Sequence, residues 1–192
     1  EAPQIPQAAQ LGRLAQKRGA QLLPNLPQRR NLSWVPGSPI RSKPKDVDSD
    51  STANGVRGQI IEFIKTDNPQ GAEGLLSASV MDMTSEGRTE LEQRIAWSYY
   101  IENDDASALR LARQAQKGAG EWVGHANWVA GLAAWRLNDC QSASTAFETV
   151  GRSAANVDLQ AAGLYWSARS DLKCGQPEKV QGKLQAAARL DD

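Results

Sequence analysis

From Asn54 onward, apolar residues recur every three or four positions, and no β-branched stretch alternates with polar residues over a strand's length. GQIIEFIKT (58–66) puts Ile60, Ile61 and Ile64 on one helical side. Asn68-Pro69 follows as a cap with proline in the first turn, leading into GAEGLLSASVM. Thr84-Ser85-Glu86 restarts the pattern, and residues 90–102 carry Leu91, Ile95, Ser98, Tyr99 and Glu102 at helical steps. Asn103-Asp104-Asp105 breaks it before ASALRLARQAQ, and Gly118-Ala119-Gly120 stops it. Further helices are predicted over 121–137, 141–150, 158–173 and 178–190, where Pro177 marks the last start. That makes about eight helices joined by short connections.

The first 53 residues read differently. Residues 7–23 can form a short amphipathic helix through Ala8, Leu11, Leu14, Ala15 and Leu22. After it come prolines at 24, 27, 36, 39 and 44, which remove backbone donors and hold each preceding residue extended. Residues 1–53 are therefore expected to form a Pro/Gln-rich arm or linker, packing on the body through Leu32, Trp34 and Val35, with residues 54–192 as the helical domain. Charge divides along the same line. Residues 1–45 hold eight Lys or Arg against Glu1, a net of +7, so the formal total of zero leaves −7 for the rest.

The body also repeats. Tyr100, Asn103 and Asp104 fall on Trp135, Asn138 and Asp139 at a shift of 35, as do Ala108 on Ala143 and Ala115 on Val150. Leu137 and Gln141 fall on Leu172 and Gln176 at the same shift. A period of 34–35 residues predicts stacked antiparallel hairpins: an all-α, tetratricopeptide-like right-handed superhelix with an extended N-terminal arm. In NWVAGLAAWRLNDCQSASTAFETV (127–150), large rings then fill gaps between layers while small residues allow close approach. Tyr100, Trp128, Gly131, Trp135, Ala143, Phe147, Tyr165 and Trp166 are the packing signature.

Few residues offer chemistry. His125, the single histidine, lies between Trp122 and Trp128 at helical spacing, where a packing role outweighs general-base chemistry. Glu148 beside Phe147 reads as a solvent-facing glutamate, Asp104-Asp105 as a cap and Asp191-Asp192 as a chain end. GAEG (71–74) and GAG (118–120) are not phosphate loops. No catalytic, cofactor or metal site is expected, and two cysteines with one histidine fall short of the about four ligands of a zinc site. Six tryptophans could stack on sugars or bases, but Trp122, Trp128, Trp135 and Trp166 fall on faces expected to be buried. The basic arm on an acidic body does not suit nucleic acid. No apolar run reaches the roughly 18 residues of a membrane span.

Cys140 and Cys174 could pair in an exported protein, although two buried free thiols are the plainer reading. Equivalent points one repeat apart lie roughly 10 Å from each other, beyond the about 7 Å that a disulfide spans.

EWVGHANWVAGLAAWRLNDCQSASTAFETV (121–150) and AGLYWSARSDLKCGQPEKVQGKLQAAARL (162–190) resemble the α-superhelical region of alphaproteobacterial soluble lytic murein transglycosylases. The carrying residues are Trp128–Gly131, Ala134, Arg136 and Leu137, then Ala143, Phe147 and Glu148, then Tyr165, Trp166 and Arg169. The likeness covers roughly residues 90–190. It implies a periplasmic scaffold beside a lysozyme-like domain that cleaves peptidoglycan glycan strands and leaves 1,6-anhydro ends. That domain's Glu-Ser pair and G-L-M-Q-like stretch do not occur here, so no catalytic residue carries over, and the chain reads as a piece of a longer protein. The other reading is a free-standing tetratricopeptide-like adaptor of the cell envelope, binding a protein or peptide in its groove.

Overall fold

The computed structural model describes residues 7–22 and 43–190. The chain divides into two compact units, Glu1–Ser38 and Pro39–Asp192. The packing expected of Leu32, Trp34 and Val35, and the Asp191-Asp192 pair, lie outside the described residues.

In the first unit, α1 covers Ala8–Lys17, shorter than the 7–23 expected. Gly19 takes a left-handed conformation (φ 91°) that ends the helix, and Leu11 and Leu14 stay largely exposed.

The second unit is all-α among its described residues. Its helices are α2 (Ser51–Lys65), α3 (Pro69–Ser79), α4 (Ser85–Ile101), α5 (Asp105–Ala115), α6 (Trp122–Arg136), α7 (Cys140–Ser153), α8 (Val157–Lys173) and α9 (Val180–Ala188). Short 3₁₀ turns at Val80–Asp82 and Pro177–Lys179 lie between them. Helices pack mostly with their neighbours in sequence, and α4 also touches α2 and α6.

One turn occurs four times among the described residues. Asp67, Asn103, Asn138 and Gly175 each adopt a left-handed backbone, with φ of 55°, 65°, 62° and 71°. The next residue donates its N–H to the carbonyl five positions back: Asn68 to Phe63, Asp104 to Tyr99, Asp139 to Ala134 and Gln176 to Asp171, each at 2.9 Å. This is a helix C-cap built on residues that tolerate left-handed geometry. In the first three turns the same residue also caps the following helix. Asn68, Asp104 and Asp139 accept from the N–H of Gly71, Ser107 and Ser142 at 2.9, 3.1 and 3.0 Å. Each such cap contributes about 1 kcal/mol. The turn recurs after 36, 35 and 37 residues, close to the sequence period, and closes one helix and opens the next within two residues.

Ile60, Leu91, Ile95, Leu111, Val129, Phe147 and Val150 are fully buried along the stack. At Gly131 an added Cβ would stand 2.6 Å from the Phe147 ring, so the absent side chain makes room for that ring. At Gly163 it would meet the Gly151 nitrogen at 2.7 Å and the Phe147 carbonyl at 2.8 Å, which brings α7 and α8 backbone to backbone. Trp128 then sits edge-on to Phe147 (centroids 5.3 Å), Phe147 beside Trp166 (5.8 Å) and Trp166 edge-on to Trp135 (5.6 Å).

Helix α2 starts earlier than its periodicity suggests, whereas α4 starts where Thr84-Ser85-Glu86 restarts the pattern. Helix α2 begins at Ser51 because the Asp50 carboxylate accepts from Ala53 N–H (2.8 Å) while also binding the Thr84 N–H (2.7 Å) and hydroxyl (2.8 Å). Helix α4 begins at Ser85, capped by the Thr84 hydroxyl accepting from Gly87 N–H. Ahead of α2 an extended stretch lies on the helices. Val47 N–H donates to Glu90 (2.7 Å), Val47 carbonyl accepts from Arg57 (3.0 Å) and Lys45 carbonyl accepts from the Trp122 indole (2.9 Å).

Candidate functional site

Relative to the repeated turn, Tyr100 of α4, Trp135 of α6 and Leu172 of α8 occupy one position, three residues before the left-handed residue. Arg136 and Lys173 occupy the next position along. The Arg136 guanidinium lies 3.8 Å over the Tyr100 ring and donates to the Tyr100 carbonyl (2.6 Å), Asn103 (3.3 Å) and Asp105 (2.7 Å). One hairpin further on, Lys173 Nζ stands 4.5 Å over the Trp135 ring and donates to the Trp135 carbonyl (3.4 Å) and Asn138 (2.8 Å). A cation from each later helix therefore stacks on the ring of the preceding one and satisfies its C-terminal carbonyl, where positive charge is favoured.

Trp97 stacks on Tyr100 at 5.5 Å. Arg169 lies 4.6 Å from the Trp166 ring, 5.6 Å from Trp135 and 5.8 Å from Tyr165. Tyr165 is 46% exposed and Leu172 60%. The result is an exposed row of rings and cations along the ends of α4, α6 and α8.

Polar clusters elsewhere serve the fold. Glu90, fully buried, accepts from Arg57 Nε (2.8 Å) and Nη2 (3.0 Å), Arg94 Nε (2.9 Å) and Val47 N–H. Glu73 accepts from Arg110 and Tyr99, both at 2.8 Å. The Arg110 hydrogen bond holds the Glu73 carboxyl below its usual range against the opposing effect of burial, and Tyr99 helps. Burial, then the Glu73 carboxylate, pushes the Tyr99 hydroxyl up to about 12. Burial raises the Glu92 carboxyl despite its bond to Arg88.

Sequence reasoning missed a cluster that superficially suits nucleophilic chemistry. Lys183 Nζ of α9 donates to Asp171 (2.6 Å), Ser167 (2.7 Å) and Ser144 (3.4 Å) and forms an ion pair with Glu148 (3.1 Å), beside a groove of about 450 Å³. The Ser144 hydroxyl donates to Asp171, and the Ser167 hydroxyl to the Ser144 carbonyl at 3.0 Å. A serine nucleophile needs a base with a free lone pair. Here the lysine is ion-paired with two carboxylates, and each serine proton has a fixed acceptor. The cluster ties α9 to α7 and α8.

His125 is half-buried, 5.8 Å from the Trp122 ring, and lines a cavity of about 110 Å³ with Lys43, Glu121 and Asn156. That volume is below the roughly 300 Å³ of a typical ligand pocket. Glu148, read as solvent-facing, is engaged by Lys183 and Arg152. Among the described residues no group of three or more His, Cys, Asp or Glu is placed to hold a metal ion. Trp122 and Trp128 are buried as expected, whereas Trp135 and Trp166 are half-buried, because the row of rings opens to solvent there.

Cys140 and Cys174 form a disulfide with Cα atoms 5.7 Å apart. This corrects the free-thiol expectation, which rested on the spacing of helix axes. Cys140 is the first residue of α7 and Cys174 the cap of α8, and the two helix ends converge there. No helix is long and apolar enough to cross a membrane among the described residues. Comparisons with protein-family models, with curated proteins and with solved structures give no match.

Proposed function

We propose that this chain is a non-catalytic helical-repeat scaffold of a peptidoglycan-processing lytic transglycosylase, a right-handed superhelix acting in the periplasm. The observation that carries the scaffold reading is the fourfold turn with its interlocking cations, Arg136 on Tyr100 and Lys173 on Trp135. Such a stack propagates a rigid face, and its ionisable groups serve as caps and ion pairs. The link to peptidoglycan comes from the Trp128–Glu148 and Tyr165–Arg169 motifs. The Cys140–Cys174 disulfide fits an oxidising compartment. In this role the chain shapes the path by which glycan strands reach a separate lysozyme-like domain.

The test is incubation of the purified chain with peptidoglycan sacculi, reading both co-sedimentation and soluble products. Binding without 1,6-anhydro muropeptides is expected. Release of anhydro ends by this chain alone would overturn the non-catalytic assignment. Failure to bind sacculi, together with capture of an envelope protein, would replace the scaffold reading with a protein-binding adaptor.

A further inference from the structure

We infer that Arg169, Lys173, Trp135, Tyr165 and Trp166 form a subsite for the carboxylates of peptidoglycan muropeptides, an assignment that rests on the proposed function. The first observation is what Arg169 lacks. Arg57, Arg94, Arg110 and Arg136 each pair with a carboxylate of this chain. Arg169 has three rings around it, at 4.6, 5.6 and 5.8 Å, and no carboxylate within 4.0 Å among the described residues. A guanidinium carries five donors in a planar fork that matches a carboxylate in bidentate fashion. Here the guanidinium of an exposed residue is placed over the Trp166 ring, so binding an acid requires little further ordering.

The second observation is Lys173, one turn along α8. It bonds to Asn138 and the Trp135 carbonyl, with no carboxylate within 4.0 Å among the described residues. Arg169 and Lys173 stand four residues apart, and the acid between them, Asp171, is buried and paired with Lys183, so the two exposed cations give a local excess of positive charge on a body that is acidic in total. The third is the surrounding surface. Tyr165 and Leu172 are exposed beside the cations and offer a ring face and an aliphatic edge to a sugar bearing an acidic peptide. The groove at Lys183 differs: its cation already meets Asp171 and Glu148.

The experiment titrates the full chain with a disaccharide-tetrapeptide muropeptide and follows tryptophan fluorescence, since Trp135 and Trp166 flank the site. Parallel arms use the same muropeptide with its carboxyl groups amidated, and the free tetrapeptide. Arg169→Gln is expected to weaken muropeptide binding by about tenfold or more, the scale of one charge-assisted hydrogen-bonded contact. Arg169→Lys should restore only part of it. Amidation should cost the wild type at least as much as the substitution does, and weaken Arg169→Gln by less, through Lys173 alone. Arg169 is exposed, and an unchanged far-ultraviolet spectrum would show that the variant folds. Muropeptide binding that Arg169→Gln leaves unaltered would overturn the subsite while sparing the scaffold reading. Arg169-dependent binding of the free tetrapeptide with equal strength would uphold the carboxylate site and overturn its glycan context. No binding of any arm to the wild type would overturn the subsite, and the sacculus test then decides the scaffold reading separately.

Discussion

At the scale of single residues, the chain places its carboxylates in unlike surroundings, and their responses to change should differ in sign. Glu90 is fully buried between Arg57 and Arg94 and also anchors the extended stretch through Val47. Glu90→Ala would leave the Arg57 charge, whose side chain is only 10% exposed, without its main partner. Breaking such a pair costs about 3–5 kcal/mol, to be read as a fall in the denaturation midpoint. Glu73 and Glu92 diverge with pH. The Glu73 carboxyl is lowered in the folded state, chiefly by its hydrogen bond from Arg110. Its stabilisation is therefore complete above the unfolded carboxylate pKa and is lost as pH falls through the lower folded value. Glu92 is raised by burial, so the folded state holds that proton more tightly. It favours folding in acid and opposes it once pH passes the raised value. Glu73→Gln should lose stability at pH 7 and little at pH 3; Glu92→Gln should gain at pH 7 and not at pH 3. Urea melts at the two pH values measure both, and parallel behaviour of the two variants would contradict this account.

At the scale of elements, what the sequence revealed is what is local. Asn68-Pro69, Asn103-Asp104 and Asn138-Asp139 announce a helix end and the next start within two residues, because the cap's donor and acceptor lie three to five positions apart. The early start of α2 was not legible. Asn54, Gly55 and Gly58 are poor helix formers, and the compensating contact joins Arg57 to Glu90 across 33 positions. The same limit hid the candidate site. The rings of Tyr165 and Trp166 were visible as a motif, but the Trp135 ring that completes the Arg169 cradle comes from another hairpin. The disulfide was obscured because a period places residues along helices without saying how their ends converge. Its contribution can be measured. It closes 34 residues of chain, and that loop corresponds to about 4 kcal/mol of unfolded-state entropy. Replacing Cys140 and Cys174 together by Ser should lower the urea midpoint accordingly with little change in circular dichroism. Reduction of the wild type should reproduce the shift, and a mass two daltons above that of the oxidised chain should accompany it.

At the scale of the whole molecule, a stack of hairpins draws stability from each unit and from the contacts between neighbours, so it need not open all at once. The interior of the helical unit is tied by apolar packing: α4 to α7 all bury aliphatic or aromatic side chains. Helix α9 is joined differently. It has no buried residue, and Lys183 is its principal polar tie, reaching Asp171, Glu148, Ser167 and Ser144 on α7 and α8. An attachment resting on one ammonium should yield to a change that leaves the other helices intact. Lys183→Met keeps the length of the side chain and removes its charge and donors, leaving Asp171, 2% exposed, without its cation. Amide hydrogen exchange should then rise across 180–188 by about tenfold or more, on the scale of a lost charged hydrogen bond, with 91–96 and 126–134 protected as before. Equal acceleration in all segments would mean that the unit opens as one body and that Lys183 stabilises the whole. No acceleration anywhere would mean that apolar contact with α8 holds α9 by itself.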